Sequence, residues 1–318
     1  MTTILVTGGA GFIGSHICKK LVERGDLVIC LDNFNNYYSP LRKIENIKPF
    51  LDKSNFLLYV VDVTNKISLE EVFKKHKIDK IVHLAARAGV RPSIEQPLLY
   101  QEANVQGTVN LLELSKKYGI KNFIFGSSSS VYGENKKIPF TENDNVDYPV
   151  SPYAASKKAC ELFCYTYSHL TNLNITCLRF FTVYGPQGRP DMVPYRFTDW
   201  IYQGQELIRY GDGTTRRDYT YIDDIIQGIL LALEKNFKFE IINLGNSQTV
   251  ELSYFISVIE NLLDKKAKIK VLPEQPGDVP ITYADISKAQ ELLGFAPKTK
   301  IEEGMEKFVK WYLNNLKK

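Results

Sequence analysis

The opening residues restrict the fold more than any others. Ile4-Leu5-Val6 reads as a short buried strand, and Thr7-Gly8-Gly9-Ala10-Gly11-Phe12-Ile13-Gly14 follows it directly. Ile13, Ile17, Leu21 and Val22 then fall at helical spacing, with Gly25 as a left-handed stop. Gly8, Gly11 and Gly14 are spaced three apart, and Gly9, Gly11 and Gly14 also satisfy G-x-G-x-x-G. A glycine-rich turn between strand and helix lets the backbone approach a pyrophosphate, whose charge is met by unpaired N–H groups at the helix start. Strand, turn and helix in that order predict a dinucleotide site contacted by Gly8, Gly11, Phe12, Ile13 and Gly14.

The pattern repeats. Apolar β-branched runs at 27–31, 57–61, 80–84, 122–126 and 175–179, with a late one at 240–244, alternate with amphipathic stretches. This is the signature of successive βαβ units. The expected class is α/β: a doubly wound parallel sheet (Rossmann) followed by a smaller C-terminal α/β substrate-binding domain. From about residue 182 the regularity breaks into Gly-, Pro- and Arg-dense loops, and 287–318 reads as two helices punctuated by Gly294 and Pro297.

Composition narrows the partners. Lys and Arg number 40 against 36 Asp and Glu, an excess of +4 that is too small to argue for nucleic acid or a membrane surface. No apolar run approaches the roughly 20 residues of a bilayer span. The start resembles no secretory leader, and five cysteines is an odd count, so a cytoplasmic protein with reduced thiols is expected. The four histidines form no metal-binding cluster, and no metal site is assigned.

Asp32 ends the second strand eighteen residues after Gly14, where an acidic side chain binds the adenosine ribose hydroxyls. A 2′-phosphate would meet it as a like charge, and no Arg follows within 32–36 to offset it, so NAD is expected rather than NADP. Asn33 adjoins it, and Asp62-Val63 after the third strand is either an adenine-side contact or a turn cap.

Ser151-Pro152-Tyr153-Ala154-Ala155-Ser156-Lys157 opens a helix, and the four-residue spacing puts Tyr153 and Lys157 on one face. A phenol, with an ordinary pKa near 10, is a poor base at neutral pH, but an adjacent ammonium and a pyridinium ring both favour phenolate. Upstream, Gly126-Ser127-Ser128-Ser129-Ser130-Val131-Tyr132-Gly133 leaves a strand with hydroxyls able to bond a reacting oxygen.

With these motifs in this order, the chain resembles the extended short-chain dehydrogenase/reductase family, the nucleotide-sugar epimerases and dehydratases, over essentially its whole length. The resemblance implies Tyr153 as base, Lys157 on the nicotinamide ribose and Ser128 as hydroxyl partner. It also implies a cofactor wall at Ala85 and Ala86 followed by Asn104. It implies an NAD-binding domain over 1–181 plus about 216–245 and a nucleotide-sugar domain over about 182–215 and 246–318. A homodimer paired through helices near 105–118 and 153–170 is implied as well.

Ser129 and Ser130 stand where the family's 4,6-dehydratases carry an Asp-Glu pair and its UDP-glucuronate decarboxylases a Glu, which leaves epimerisation. Arg87 to Arg91, 178–186 and Gly188 to Met192 are most similar to the UDP-glucuronate 4-epimerase branch. The implied substrate contacts are Arg91, Ser128, Ser129, Ser130, Thr182 and Arg189, with Arg217 on the diphosphate and Asp278 either contacting the uridine ribose or orienting Arg217. Many relatives carry Arg where Gln275 stands, so one phosphate contact is missing from the pattern. Tyr221-Ile222-Asp223-Asp224 is expected to open a helix with Asp223 as N-cap. The alternatives are a UDP-glucose or UDP-N-acetylhexosamine 4-epimerase, or a UDP-glucuronate decarboxylase. A non-catalytic nucleotide sensor would require a broken Tyr-Lys pair, and both residues are present.

Overall fold

The computed structural model describes residues 1–273 and 279–316. Six strands, β1 (Thr3–Thr7), β2 (Leu27–Asp32), β3 (Phe56–Val60), β4 (Lys80–His83), β5 (Asn122–Ser128) and β6 (Asn174–Phe180), join the later strand Phe239–Leu244 in one sheet. The order is β3-β2-β1-β4-β5-β6 and then Phe239–Leu244, with every pair parallel. All seven expected strands are present. The order reverses between β1 and β4, and in an open parallel sheet ligands bind outside the carboxyl ends of the strands at that reversal.

Helices cover both faces: α1 (Phe12–Arg24), α2 (Pro40–Ile47), α3 (Lys66–Lys75), α4 (Val90–Glu95), α5 (Pro97–Tyr100), α6 (Gly107–Tyr118) and α7 (Pro152–Leu170) precede the last sheet strand's own crossover. Apart from the edge strand β3, the strands β1 to β6 are buried on both sides, which is why they read as unbroken apolar runs rather than alternating ones. Two clusters fill the faces, one around Ile4, Val6, Ile17 and Leu21, the other around Leu5, Ile29, Phe123 and Phe125. Gly25 ends α1 at φ 90°, as expected.

Further along the chain, α8 (Val193–Gln203) packs with the parallel strand pair Glu206–Tyr210 and Lys268–Leu272, and two more helices, Ser287–Leu293 and Ile301–Leu316, close the chain as expected. Helix α9 (Ile222–Leu233) corrects one expectation: its N-cap is Tyr221, and Asp223 lies inside the first turn. Asp224 instead accepts the backbone N–H groups of Lys298 and Thr299, tying α9 to the approach of the last helix. Among the described residues no helix is long and apolar enough to cross a membrane.

Candidate active site

A cleft of about 490 Å³ runs over the carboxyl ends of β1, β2, β4 and β5. It begins at the glycine turn. A Cβ on Gly14 would lie 2.0 Å from the Gly8 carbonyl oxygen, so no other residue fits there. Gly8 takes φ +68° and packs against the backbone of Leu84 and Ala85 at the end of β4. Gly11 is the N-cap of α1 and offers no side-chain acceptor, which leaves the first N–H groups of that helix for an anion. The glycines therefore hold strand, turn and helix in contact, and the cradle fits a dinucleotide pyrophosphate.

Gly8, Gly11, Phe12, Ile13, Gly14, Asp32, Asn33, Asp62, Val63, Ala85 and Ala86 all line the cleft. Asp32 is buried and accepts the Phe34 N–H at 2.9 Å and the Ala10 N–H at 3.3 Å. Asp62 is a turn cap that also lines the cleft. It caps its turn by accepting the Thr64 N–H and hydroxyl at 2.9 and 2.7 Å, and it lines the cleft, accepting the Asn33 amide at 2.6 Å. Against burial, which would raise it, those donors hold its carboxyl below the usual range.

At the other end stand Tyr153, Lys157, Ser128, Ser129, Ser130, Thr182 and Arg189. Helix α7 starts sharply because Pro152 occupies its first turn and the Ser151 hydroxyl accepts the Ala154 N–H at 3.1 Å. Lys157 is 5% exposed, and its Nζ donates to the Gly126 carbonyl at 2.7 Å, fixing the ammonium at the end of β5. The Tyr100 ring meets Tyr153 edge-on at 6.2 Å. Ser128 accepts the Ser130 N–H at 3.2 Å and so shapes the serine turn. Arg189 forms a two-point pair with Asp191 and lies 5.3 Å from the Tyr37 ring centroid.

His83 governs the charge beside Lys157. Thr108 donates to the Asn104 carbonyl, so it accepts from His83 Nε2, and His83 Nδ1 accepts from the Thr7 hydroxyl at 2.6 Å. That network holds one neutral tautomer. Burial, with Lys157 adding to it, pushes the His83 pKa down to about 3, so the imidazole adds no second cation at neutral pH.

Three expected contacts lie away from the cleft lining, and one lies outside the described residues. Asn104 is buried in a π-helical turn, Gln101–Gln106, and its amide clamps both the N–H and the carbonyl of Arg87, at 2.7 and 3.0 Å, while donating to Ser156. It shapes the wall rather than forming it. The Arg91 guanidinium stacks on Tyr210 at 4.6 Å, turned toward the later segment of the chain. Arg217 donates to the carbonyls of Arg216 and Pro280. Beside it, burial pushes the Asp218 carboxyl up to about 6, offset in part by N–H donors from Asn246, Ala284 and Ser247 and the Thr220 hydroxyl. Asp278 and Gln275 fall outside the described residues.

Other residues of the site were missed from the sequence. Tyr37, Tyr38 and Lys43 line the cleft from a loop and a helix that carry no motif, and Arg87 lines it from the 87–91 segment, where the sequence reading names only Arg91 as a contact. Glu161 had a signal, since Tyr153, Lys157 and Glu161 share one helical face. It is 1% exposed and pairs bidentately with Arg179 on β6 at 2.9 and 2.8 Å, accepting also from Ser127 at 2.6 Å.

The model of the family described as GDP-mannose 4,6 dehydratase matches residues 5–308. A UDP-glucuronate 4-epimerase of Thermodesulfobacterium geofontis is 45% identical over 313 residues, 98% of this chain and 96% of the relative. Among solved structures, a UDP-glucuronic acid 4-epimerase from Bacillus cereus, in complex with UDP-glucuronic acid and NAD, superposes with a TM-score of 0.93 at 37% identity, covering 99% of this chain and 100% of that one. A UDP-glucose 4-epimerase from Thermotoga maritima, with UDP-glucose, gives 0.91 at 35%, covering 99% and 100%. With the family model matching residues 5–308 and these relatives matched along nearly the whole chain, the protein belongs to this nucleotide-sugar family of extended short-chain dehydrogenases/reductases.

Proposed function

We propose that the protein is an NAD-dependent 4-epimerase that interconverts UDP-glucuronate and UDP-galacturonate through a transient 4-keto sugar, with Tyr153 as the base and acid. The observation that carries the reading is a single cleft lined at one end by the glycine turn and Asp32 and at the other by Tyr153, Lys157 and the serine turn. Relatives named UDP-glucuronate 4-epimerase support the substrate.

NAD held by the glycine turn and Asp32 would supply a reversible hydride acceptor for C4 of the sugar. Tyr153 takes the proton of the C4 hydroxyl as the hydride leaves and returns it after the ketone has presented its other face. Lys157, anchored by the Gly126 carbonyl, would hold the ribose of the nicotinamide. Ser128 hydrogen-bonds the reacting oxygen. Thr182 with Ser129 and Ser130 supplies donors for the sugar carboxylate, Arg189 meets the hydroxyls, and Arg91, Arg217 and Asp278 serve the nucleotide side. Gly8 to Gly14, Asp32, Asn33, Asp62, Val63, Ala85 and Ala86 hold the cofactor, with Asn104 acting through the wall it clamps.

The 4-keto glucuronate is a β-keto acid, which loses carbon dioxide when the carboxylate bond aligns with the carbonyl π system. The hydroxyl donors hold the carboxylate out of that alignment. We keep the two-domain division at 181 and 216–245. A homodimer would be paired through α6 and α7, the latter exposing Leu162, Phe163 and Tyr165.

The experiment is incubation of the purified protein with UDP-glucuronate, with NMR of the sugar H1 and H4 signals and a mass balance for carbon dioxide. UDP-galacturonate with no carbon dioxide is expected. Stoichiometric carbon dioxide and UDP-pentose would refute the assignment in favour of a decarboxylase, and turnover confined to UDP-glucose or UDP-N-acetylhexosamines would move it to those sugars. Tyr153→Phe should lower turnover by at least a thousandfold while NAD remains bound; unchanged turnover removes Tyr153 as base.

A further inference from the structure

The adenosine end of the cleft holds a cation that the spacing argument did not foresee. Lys43, on α2, donates from Nζ to Asp32 Oδ1 at 2.9 Å, and the two side chains are only 7% and 4% exposed. Lys43 lines the cleft with Asp32, Asn33 and Tyr38, its ammonium 5.5 Å from the Tyr38 ring centroid. The pair is fixed from both sides. Asp32 is held by the Phe34 and Ala10 N–H groups, and α2 is tied to the glycine turn by Asn46, whose amide donates to the Ala10 carbonyl at 3.1 Å.

Asp32 is therefore not a bare negative charge facing the ribose. It is one half of a buried, net-neutral pair. A buried ammonium that loses its counter-ion is left uncompensated, and the ligand that best relieves it is an anion placed where the carboxylate was. In a dinucleotide that binds its ribose at Asp32, the anion reaching this point is a 2′-phosphate.

We propose that Lys43 is the cofactor-specificity residue of this cleft: while Asp32 occupies its ammonium the site takes NAD, and once that carboxylate is neutralised Lys43 receives the 2′-phosphate of NADP. The proposal rests on the NAD reading above. It differs from a simple like-charge account in assigning the discrimination to the pair, so both partners must alter it.

The test is calorimetric titration of the nucleotide-free full chain with NAD⁺ and with NADP⁺. Asp32→Asn keeps the side-chain shape and an acceptor for the Phe34 N–H. It should tighten NADP⁺ binding at least tenfold over the unmodified protein while weakening NAD⁺, and inorganic phosphate should raise its melting temperature. Adding Lys43→Met to that variant should erase the gain. Lys43→Met alone leaves an unpaired carboxylate and should raise the ratio of the NADP⁺ to the NAD⁺ dissociation constant at least tenfold. A folded Asp32→Asn protein with no gain, or a gain that survives the second substitution, overturns the proposal. If Asp32→Asn does not fold, an unchanged or lowered ratio in Lys43→Met overturns it equally. Failure of the unmodified protein to bind NAD⁺ at all would instead sink the cofactor reading itself, and the proposal with it.

Discussion

Replacing Glu161 by Gln tests whether the site is held by its buried ion pair. Glu161 and Arg179 are each 1% exposed and joined by two hydrogen bonds, 2.9 and 2.8 Å long. The guanidinium also lies 4.8 Å from the Tyr132 ring centroid, and its Nη1 has no hydrogen-bond partner. The substitution keeps the side-chain shape but removes the negative charge and one acceptor, leaving a cation in a dry interior. Removing one partner of such a pair costs about 3–5 kcal/mol. The Tyr132 contact is present before and after the substitution and offsets nothing, but the Gln oxygen keeps one acceptor for the guanidinium, so we expect a loss near the lower end, about 3 kcal/mol.

Urea unfolding followed by far-UV circular dichroism measures it, through the shift in midpoint at unchanged slope. The paired replacement Glu161→Met with Arg179→Met removes both charges and should recover most of the loss, because the desolvation of two ions goes with them. Ser127 donates to Glu161 and directly precedes Ser128, so kcat should fall in the single variant more than KM rises. A single variant that loses less than about 1 kcal/mol, or a double variant no better than the single, refutes the reasoning.

His83 makes stability depend on pH with a definite sign. Its folded pKa, about 3, lies below the ordinary value of 6.5, so the unfolded chain takes up a proton that the native one refuses. The contribution is complete above pH 6.5 and is lost as pH falls toward 3; between pH 7 and pH 5 this group alone accounts for about 2 kcal/mol. In His83→Gln the difference in unfolding free energy between those two pH values should shrink by about that amount, and an unchanged difference would show that the ring is not held neutral. Gly14→Ala should fold poorly and retain no NAD after purification, since its Cβ would sit 2.0 Å from the Gly8 oxygen. Normal cofactor occupancy in that variant, measured by absorbance of the denatured supernatant, would contradict the geometry of the turn.

The sequence by itself determined the parallel sheet, the glycine turn and the Tyr153-Lys157 face. Each is written in residues close together in the chain: strand runs of four to seven residues, glycines three apart and a helical pair four apart. The same locality explains why Asp32 and Ser128 were legible at strand ends, where a parallel sheet presents its side chains to one common edge.

What only the tertiary structure decided is which charges meet. Lys43 reaches Asp32 from a separate helix, Glu161 meets Arg179 across the gap between α7 and β6, and His83 is kept neutral by burial beside Lys157, between hydroxyls from β1 and α6. The amide of Asn104, which the family resemblance put on the cofactor, turns to the backbone of Arg87 through a π-helical turn. Charge compensation and burial depend on distances between segments far apart in sequence, and spacing along the chain carries no record of them. The polypeptide's local pattern thus specified the scaffold and the shared face of Tyr153 and Lys157, while packing alone specified the electrostatic surroundings of that face.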